Sequence, residues 1–502
     1  MSLYVATMFI RLGRRTRVRI PPVVTCFSLL FIASQVSTQD PRGSVKPDIF
    51  ATYTKYDSSF TWLERTERDK IPAETCPHLR QCKPVHVSML MRHGTRYPQK
   101  RIIGKIDYVV SSIRHYGSKE KDIVNVMRRW QNSFEWQDAM MLSETGKWEM
   151  EELAGRTVQR FPAVFHGAKP ESLRIVSSTK NRTIDSASAF VRGIWNGLKE
   201  IKAADSIKDP RKLKTEAGPQ TDKLLVFLEK CKKWAEEVEG SPEALQEVSK
   251  FLEGPEVRSV LKNITSQLGP SVLLDFSAAH LKVMWTICAM ETAVYGGRSI
   301  WCDLFRPEDL QVLEYLSDLT SYWKHGYGHR VNYRPGCNLL QEMLKPMEGF
   351  VSGNKSSLRG QFLFGHTDTL VALYSLLGLF KDRAPLRADN FAEHKNRVFR
   401  TSHISPFGAN LALVLYKCDG VSPCDESEQG KPTQDAPQGS QPDDPAGSKF
   451  RVMMMVNERV EQFPGWHQAS CPYEVVRMLY KDVLEHCEDW CNMSGKESHP
   501  EL

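Results

Sequence analysis

Three apolar runs of strand length, far apart in the chain, each end directly in polar residues. They are VHVSMLM at 85–91, LRIVSS at 173–178 and QFLFG at 361–365. Their length and composition predict buried strands, and apolar residues at helical spacing follow the last two. Ligands of open α/β sheets bind where strands end at their carboxyl edge. The pattern therefore predicts an α/β fold with a site at that edge.

Two more apolar runs, LALVLYK at 411–417 and FRVMMMV at 450–456, also predict core strands. The segment between them, 419–449, is rich in Pro, Gly, Ser, Gln and Asp. It cannot bury enough apolar surface to offset its ordering entropy. We therefore expect a disordered loop within a hairpin of the core, and no domain boundary there.

The length of 502 residues allows about three domains, or one α/β core with an insertion. Residues 201–290 have helical patterning only, with Ser241 as an expected N-cap. We expect them to form an inserted, mainly helical lobe. The α/β core is then 39–200 and 291–490, and its segment 142–161 predicts an amphipathic helix.

The formal net charge of +7 is concentrated at the N-terminus. Residues 1–38 contain no acid, and without them 62 Lys and Arg face 60 Asp and Glu. This balance argues against a nucleic-acid partner, which needs a basic face. The basic residues of the N-terminal segment are Arg11, Arg14, Arg15, Arg17 and Arg19.

The same segment, residues 1–38, has the pattern of a secretory signal peptide. The arginines precede IPPVVTCFSLLFIA, an apolar stretch of 14 residues, and the small polar run SQVSTQ follows. We expect cleavage near Thr38 and no membrane span afterwards. A short membrane anchor is disfavoured because spanning takes about 20 apolar residues. An Arg-rich mitochondrial leader is the third alternative.

Cysteine usage supports export to an oxidising compartment. Eleven cysteines remain after the leader, and an odd count leaves one or more thiols outside disulfides. Close spacing predicts three small disulfide loops. The predicted pairs are Cys76 with Cys82, Cys418 with Cys424, and Cys487 with Cys491.

Short signals near the chain's surface and end also fit a lumenal or secreted glycoprotein. Glycosylation sequons occur at Asn263, Asn354 and Asn492. The C-terminal tail, 491–502, ends in His499-Pro500-Glu501-Leu502, a weak likeness of the Lys-Asp-Glu-Leu signal for retrieval to the endoplasmic reticulum. Chance similarity is the alternative.

The first strand end, MRHGTRYP, places Arg92, His93 and Arg96 together. Clustered guanidiniums bind a multiply charged oxyanion, and phosphate is a common ligand of this kind. Neighbouring cations disfavour the imidazolium form. A neutral imidazole held against a phosphoryl group is a nucleophile.

The other two strand ends provide groups that a phosphoryl transfer needs. Arg182 can stabilise charge on the equatorial oxygens, and His366 can donate to the same phosphate. Asp368 can protonate the leaving alkoxide. Alone, each has a structural explanation, such as a helix-surface arginine or a helix-start carboxylate. Together they predict a phosphomonoesterase that requires no metal or cofactor, because guanidiniums replace the cation.

The stretch RHGTRYP resembles the nucleophile motif of histidine acid phosphatases, and most of residues 50–490 resemble the multiple inositol polyphosphate phosphatases of that superfamily. The stretches that carry the likeness are SSTKNR, CAMETAVYGGRSIWCDLF, LEYLSDLTSYWKHGYG, FGHTDTL, LGLFKD and NLALVLYKC. The resemblance implies a mixed central sheet flanked by helices. It also implies turnover of inositol polyphosphates, with 2,3-bisphosphoglycerate as a second substrate.

The resemblance also assigns roles. It makes His93 the nucleophile that forms a phosphohistidine, and Asp368 the proton donor. The residues it assigns to phosphate binding are Arg92, Arg96, Arg182 and His366. Asn181 belongs to a sequon inside this site, and we expect no glycan there.

The chain departs from that family in the third motif. The inositol polyphosphate branch has His-Ala-Glu where this chain has His366-Thr367-Asp368, so the carboxylic acid is one methylene shorter. We expect activity with an altered rate or substrate preference. The alternatives are a broad-specificity secreted acid phosphatase and a weakly active phosphate-binding relative.

A polyanionic substrate also needs cations at the rim of the site. Candidates close to the motifs in sequence are Lys100, Arg101, Lys105 and Lys180. A solvated charged surface is the alternative. The expected partners are small-molecule inositol phosphates, and the sequence predicts no oligomeric state.

Overall fold

The structure, a computed structural model, describes residues 50–487 and 491 with internal gaps. The residues outside the description are 61–78, 80, 204–206, 208–211, 270, 272–275, 355 and 419–447. All described residues lie in one of the two compact units into which the chain divides, Lys46–Leu502.

A mixed β-sheet forms the centre of the fold. Its strands are β1 Cys82–Arg92, β2 Leu173–Ser177, β3 Thr215–Ala217, β4 Gly360–Gly365, β5 Asn410–Cys418, β6 Phe450–Val456, β7 Arg459–Glu461 and β8 Cys471–Pro472. The strand order is β3-β2-β4-β1-β5-β6-β7, and β8 pairs with β6. The first four strands in this order are parallel, whereas the remaining pairings are antiparallel. The predicted α/β class with a mixed sheet is confirmed.

Helices cover the sheet and form most of the remaining structure. They are α1 Lys100–Tyr116, α2 Asp122–Arg129, α3 Glu144–Arg160, α4 Pro162–Phe165, α5 Asn181–Glu200, α6 Pro219–Leu225, α7 Lys232–Trp234, α8 Gln246–Leu252, α9 Pro255–Leu268, α10 Ala278–Tyr295, α11 Pro307–His325, α12 Cys337–Val351, α13 Thr367–Leu376, α14 Thr401–Ile404, α15 Tyr473–Leu479 and α16 Lys481–Glu485. In the part of the chain that is described, none of them is both long and apolar enough to cross a membrane.

Strand β1 lies inside the sheet between β4 and β5, and it is buried on both of its faces from His86 to Arg92. Val87 and Met91 pack with α3 and α5 in one cluster, whereas Leu90 packs with α1 and α10–α13 in the other. Alternate side chains of a strand point to opposite faces, so one run of residues supplies both cores. The five apolar runs that predicted strands correspond to β1, β2, β4, β5 and β6.

The predicted hairpin is present, because β5 and β6 pair antiparallel from Leu411 with Val456 to Lys417 with Phe450. The connection predicted to be a disordered loop lies almost wholly outside the described residues. The predicted signal peptide, 1–38, and nearly all of the tail, 491–502, also lie outside them. These three assignments stay predictions.

The segment 201–290 differs in one respect from its helical pattern. Thr215–Ala217 forms β3 and pairs in parallel with β2 at the edge of the sheet. Side chains from this segment, among them Leu225 and Met284, belong to the same core cluster as Leu90 of β1. The proposed boundary between core and lobe stays a prediction.

The predicted local disulfide loops are wrong. Four long-range or helix-linking disulfides occur among the described cysteines: Cys82–Cys418, Cys231–Cys491, Cys288–Cys302 and Cys337–Cys487. Cys82 and Cys418 face each other in register on antiparallel strands, which brings them together across 336 residues. Sequence proximity does not set the distance between Cβ atoms that a disulfide requires. Cys76 and Cys424 lie outside the described residues, and Cys471 is buried outside these four disulfides.

Two glycines allow the loop after β1 to lie directly against the N-terminus of α3. A Cβ on Gly94 would lie 2.4 Å from the Gly146 carbonyl oxygen, and a Cβ on Gly146 would lie 2.1 Å from the Thr95 carbonyl oxygen. Ser143 caps α3 and donates to the same Thr95 oxygen at 2.8 Å. The loop that carries His93 is thus fixed by backbone contact.

We expect Gly146→Ala to lower the free energy of unfolding by about 1–3 kcal/mol, because the added methyl overlaps backbone that cannot rotate away. Gly155→Ala in the same helix is the matched control. A Cβ at Gly155 has no atom within 4 Å, so this variant should gain about 0.5–1 kcal/mol from helix propensity. Urea unfolding of both variants measures the difference, and equal stability would contradict the close approach.

Candidate active site

The site lies at the carboxyl ends of three neighbouring parallel strands. Strand β4 lies between β2 and β1 in the sheet, so the residues that follow them meet at one edge. The His93 and His366 rings are 5.6 Å apart, and Arg182 Nη2 is 3.1 Å from His366 Nδ1. The structure therefore brings together the predicted residues of all three motifs.

Three guanidiniums dominate the charge of this site, those of Arg92 and Arg96 buried and that of Arg182 half-buried. The Nε groups of Arg92, Arg96 and Arg182 are buried and have no hydrogen-bond partner among the described residues. Burial and then the neighbouring Arg96 lower the pKa of Arg92 to about 9, and the same two causes lower that of Arg182 to about 10. These buried N–H donors lack acceptors, and a bound anion would supply them.

Arg92 is held from two sides. Its Nη1 donates to the Thr52 carbonyl at 2.5 Å and to the Ser405 carbonyl at 2.9 Å. Its guanidinium also lies 4.4 Å from the centroid of the Phe407 ring. These contacts use one nitrogen and one face of the group, so its Nε edge stays available to a ligand.

A backbone contact determines which nitrogen of the His93 imidazole can react. Nδ1 lies 2.8 Å from the Gly94 carbonyl oxygen, and because a carbonyl only accepts, Nδ1 carries the proton. Nε2 then has the lone pair. Burial, followed by the charges of Arg182 and Arg92, lowers the pKa of His93 well below its ordinary value. Its neutral, nucleophilic form therefore persists to acidic pH.

His366 is also neutral, with both ring nitrogens engaged. Arg182 donates to Nδ1, so Nε2 carries the proton and donates to Ser178 Oγ at 3.0 Å. Burial and the Arg182 charge lower its pKa well below the ordinary value. A bound anion would compete for the Arg182 donor, and His366 could then donate to the anion from Nδ1 only in its other tautomer, with Ser178 Oγ donating to Nε2. The predicted phosphate contact of His366 itself stays a prediction.

Asp368 is the second residue of α13 and directly follows the third strand end. Burial raises the pKa of its carboxyl group, although N–H donors of Thr369 and of Asp368 itself, and then Arg182 and Arg92, act in the opposite direction. A carboxyl group whose proton is retained to higher pH is suited to donate it to a leaving oxygen.

The two predicted rim lysines have different surroundings. Lys180 directly precedes α5 and forms an ion pair with Glu229 at 3.0 Å. Its charge also contributes to the lowered pKa of His366. Lys100 is exposed at the start of α1, with its Nζ 5.8 Å from the Trp136 ring centroid. Direct substrate contact by either lysine stays a prediction.

Sequence reasoning missed the residues that hold the catalytic loops. Glu149 accepts from the Thr95 N–H at 2.8 Å and from its hydroxyl at 3.1 Å. Asp222 accepts from the N–H and hydroxyl of Thr179 at 2.8 and 2.7 Å. Each carboxylate lies on a helix remote in sequence from its loop. The only available signal was an acid on an otherwise apolar helix face.

Metal binding was not expected from the sequence. Within the described ranges, no group of three or more His, Cys, Asp and Glu side chains could hold a metal ion. That the site functions without a metal or cofactor stays a prediction.

The chain that forms this site matches a known protein family. A family model for the histidine phosphatase superfamily (branch 2) matches residues 85–434, which include all three strand-end motifs. The chain belongs to this superfamily. As a histidine phosphatase it is a phosphatase enzyme, and its predicted family is confirmed.

A relative and two solved structures extend this result. Multiple inositol polyphosphate phosphatase 1 of Homo sapiens is 32% identical over 93% of this histidine phosphatase and 94% of its own length. The D. castellii phytase structure has a TM-score of 0.61 at 17% identity, and covers 81% of this chain and 80% of its own. Multiple inositol polyphosphate phosphatase of Bifidobacterium longum, in complex with inositol hexasulfate, has a TM-score of 0.57 at 14% identity and covers 76% and 88%. The two structures show the same fold.

The two shifted pKa values predict the pH dependence of this histidine phosphatase. Activity needs neutral His93, whose pKa is lowered from 6.5, and protonated Asp368, whose pKa is raised from 3.8. Activity is then lost as pH rises through the Asp368 pKa. It persists at pH values below the ordinary pKa of histidine, because His93 stays neutral there. We expect Asp368→Asn to lower kcat/KM on alkyl phosphates by about 10²-fold or more and to remove the alkaline limb. Binding of inorganic phosphate should change little.

The matched measurement uses two leaving groups. A pH series of kcat/KM, which reports the steps up to departure of the leaving group, compares an alkyl phosphate, whose leaving group needs a proton, with p-nitrophenyl phosphate, whose leaving group needs it less. Equal loss on both, or an unchanged alkaline limb in Asp368→Asn, would contradict the assignment of Asp368 as proton donor.

Proposed function

We propose that this protein hydrolyses inositol polyphosphates through a phosphohistidine at His93. The observation that carries the proposal is the set of three buried guanidinium Nε–H groups without acceptors around a neutral imidazole. A tetrahedral, multiply charged phosphoryl group provides acceptors in several directions at once. In this proposal Arg92, Arg96, Arg182 and His366 bind that group.

In the first step, Nε2 of His93 attacks phosphorus and the P–O bond to the inositol oxygen breaks. The arginines stabilise charge on the equatorial oxygens, and Asp368 transfers its proton to the departing alkoxide. The products are a dephosphorylated ring hydroxyl, a phosphohistidine and the Asp368 carboxylate. Proton and electron pairs balance without any further reactant.

In the second step, the Asp368 carboxylate accepts a proton from water as that water attacks phosphorus. The P–N bond breaks, and inorganic phosphate and neutral His93 are formed. The Nδ1–H bond to the Gly94 carbonyl persists through both steps, so Nε2 is the same atom that leaves. Asp368 returns to its protonated form, which completes the cycle.

The substrate class rests on the relatives. The human relative is named a multiple inositol polyphosphate phosphatase, and the Bifidobacterium structure is a complex with inositol hexasulfate, a sulfate analogue of a hexakisphosphate. 2,3-Bisphosphoglycerate is a second proposed substrate. A broad acid phosphatase is the alternative, favoured by Asp368 in place of a glutamate.

The compartment is also proposed, as endoplasmic-reticulum lumen or secreted. The leader pattern of residues 1–38 supports it, and so do four disulfides, which persist in oxidising compartments. Among the sequons, Asn354 is exposed, whereas Asn263 lies within α9 and donates to Asp309 at 2.6 Å. Asn354 is therefore the better glycan acceptor of the two.

We expect wild-type protein to release phosphate from inositol hexakisphosphate and His93→Ala to lose on the order of 10³-fold or more in kcat, because the nucleophile is removed. Product analysis by anion-exchange chromatography measures turnover. Acid-labile, base-stable phosphate on the protein after rapid quench identifies the phosphohistidine. Turnover of p-nitrophenyl phosphate alone would favour the broad acid phosphatase, and full activity of His93→Ala would contradict the mechanism.

Expression of the full chain in eukaryotic cells should yield a mature N-terminus near residue 38 and a mass decrease on glycosidase treatment. Leu29→Arg interrupts the apolar leader and should abolish both, since a charge opposes insertion of that segment. N-terminal sequencing and gel mobility provide the measurements. An unprocessed, unglycosylated chain in both samples would contradict the proposed compartment.

A further inference from the structure

A cavity of about 170 Å³ adjoins the candidate active site. It lies among α8, α9, α10, α11 and the start of α13, with the segment before β1 as a further wall. About half of its lining residues are polar. The polar residues are Thr52, Tyr53, Lys282, Ser317, Thr320, Ser321, His325 and Thr367.

Three of these residues connect the cavity to the phosphate site. The Thr52 carbonyl accepts from Arg92 Nη1, and Thr367 lies between His366 and Asp368 in the chain. Tyr53 is close enough to Arg92 and Arg96 to influence the pKa of both guanidiniums. A substituent next to the reacting phosphate of a bound substrate would therefore point along this wall.

Lys282 is the cation of the cavity. It is exposed, yet burial is the largest cause of its lowered pKa, and a side chain that lines a recess has both properties. The next causes are the charges of Arg101 and Lys324. No acidic side chain pairs with Lys282 within the described part of the chain. A lysine that lines a recess and has no anionic neighbour is suited to bind an anionic group of a ligand.

The surrounding charges are also mainly positive. Lys324 pairs with Glu239 at 3.0 Å, whereas Arg101 has no ion pair among the described residues. His325, which lines the cavity, is neutral, because burial and then Lys324 lower its pKa to about 3. Of these three cations, only Lys324 has an ion-pair partner among the described residues. The positive charges of Lys282 and Arg101 are therefore left uncompensated.

The other lining residues are apolar and include Leu281 and Trp285 beside Lys282. They exclude water, which strengthens the attraction between an ammonium group and an anion. They also suit the C–H face of a cyclitol ring. An aromatic leaving group is the competing occupant, and it would make no use of Lys282.

We propose that this cavity is a second phosphate subsite, in which Lys282 binds a non-reacting phosphate group of the substrate while His93 attacks another. The subsite rests on the proposed function and specifies it, because it selects substrates with two or more phosphates. Lys282 was not singled out by the sequence, since it lies on α10, about 190 residues from the first motif.

The test compares Lys282→Met and Lys282→Arg with wild type on inositol hexakisphosphate and on p-nitrophenyl phosphate. Lys282→Met should lower kcat/KM on the hexakisphosphate about tenfold, the usual size of one charged contact, and leave the monoester within about twofold. Lys282→Arg keeps the positive charge, so its kcat/KM on the hexakisphosphate should stay close to that of wild type. Lys262→Met, at an exposed position on α9 outside the cavity lining, is the matched control and should change neither value.

Calorimetric titration measures the same contact without turnover. Inositol hexasulfate should bind Lys282→Met about tenfold more weakly, whereas binding of inorganic phosphate should be unchanged. Equal losses on both substrates would indicate a structural role, and no loss on either would leave the subsite without support from Lys282. Both results overturn the proposal, as does a loss confined to p-nitrophenyl phosphate, which would assign the cavity to an aromatic group.

Failure of the proposed function has a different signature. Wild-type protein that hydrolyses p-nitrophenyl phosphate and does not hydrolyse inositol hexakisphosphate contradicts the substrate class. Wild-type turnover of both, with an unchanged ratio in Lys282→Met, contradicts only the subsite.

Discussion

The concentration of buried positive charge at one edge of the sheet is the constraint on which the site depends. Burial is the largest cause that lowers the pKa of all three guanidiniums, and for Arg92 and Arg182 repulsion from Arg96 lowers it further. The same field keeps His93 and His366 neutral. An anion removes the repulsion, so binding and nucleophile activation have one physical origin.

Such charge can persist only if the surrounding backbone is firmly held. A buried network behind the site provides this support: Arg397 pairs with Asp318, which accepts from the Thr401 N–H at 2.9 Å. Arg400 and Ser402 both donate to Glu314. These contacts fix α14 and thereby the carbonyl of Ser405, which accepts from Arg92. The carboxylates of this network are paired with Arg397 and Arg400, so the network supports the phosphate site by holding the backbone behind it.

The strands and the site edge could be predicted because they depend on local patterns. An apolar run such as 85–91 is legible in sequence, and so is the change to polar residues at its end. Glu149, Asp222 and Lys282 could not be predicted, because their roles depend on which helices pack beside the loops. The disulfides failed for the same reason, since Cys82 meets Cys418 through strand register. Long-range packing, rather than local pattern, decides these features.

The disulfide pattern has a consequence for the long hydrophilic connection between β5 and β6. Cys231–Cys491 and Cys337–Cys487 both join residues before that connection to residues after it. A protease cut anywhere between 419 and 447 would therefore produce two polypeptides that remain covalently joined. The nicked molecule would retain its full mass on a non-reducing gel and separate into two bands only after reduction. Its central sheet, which needs β6 from the second polypeptide beside β5 from the first, would keep both.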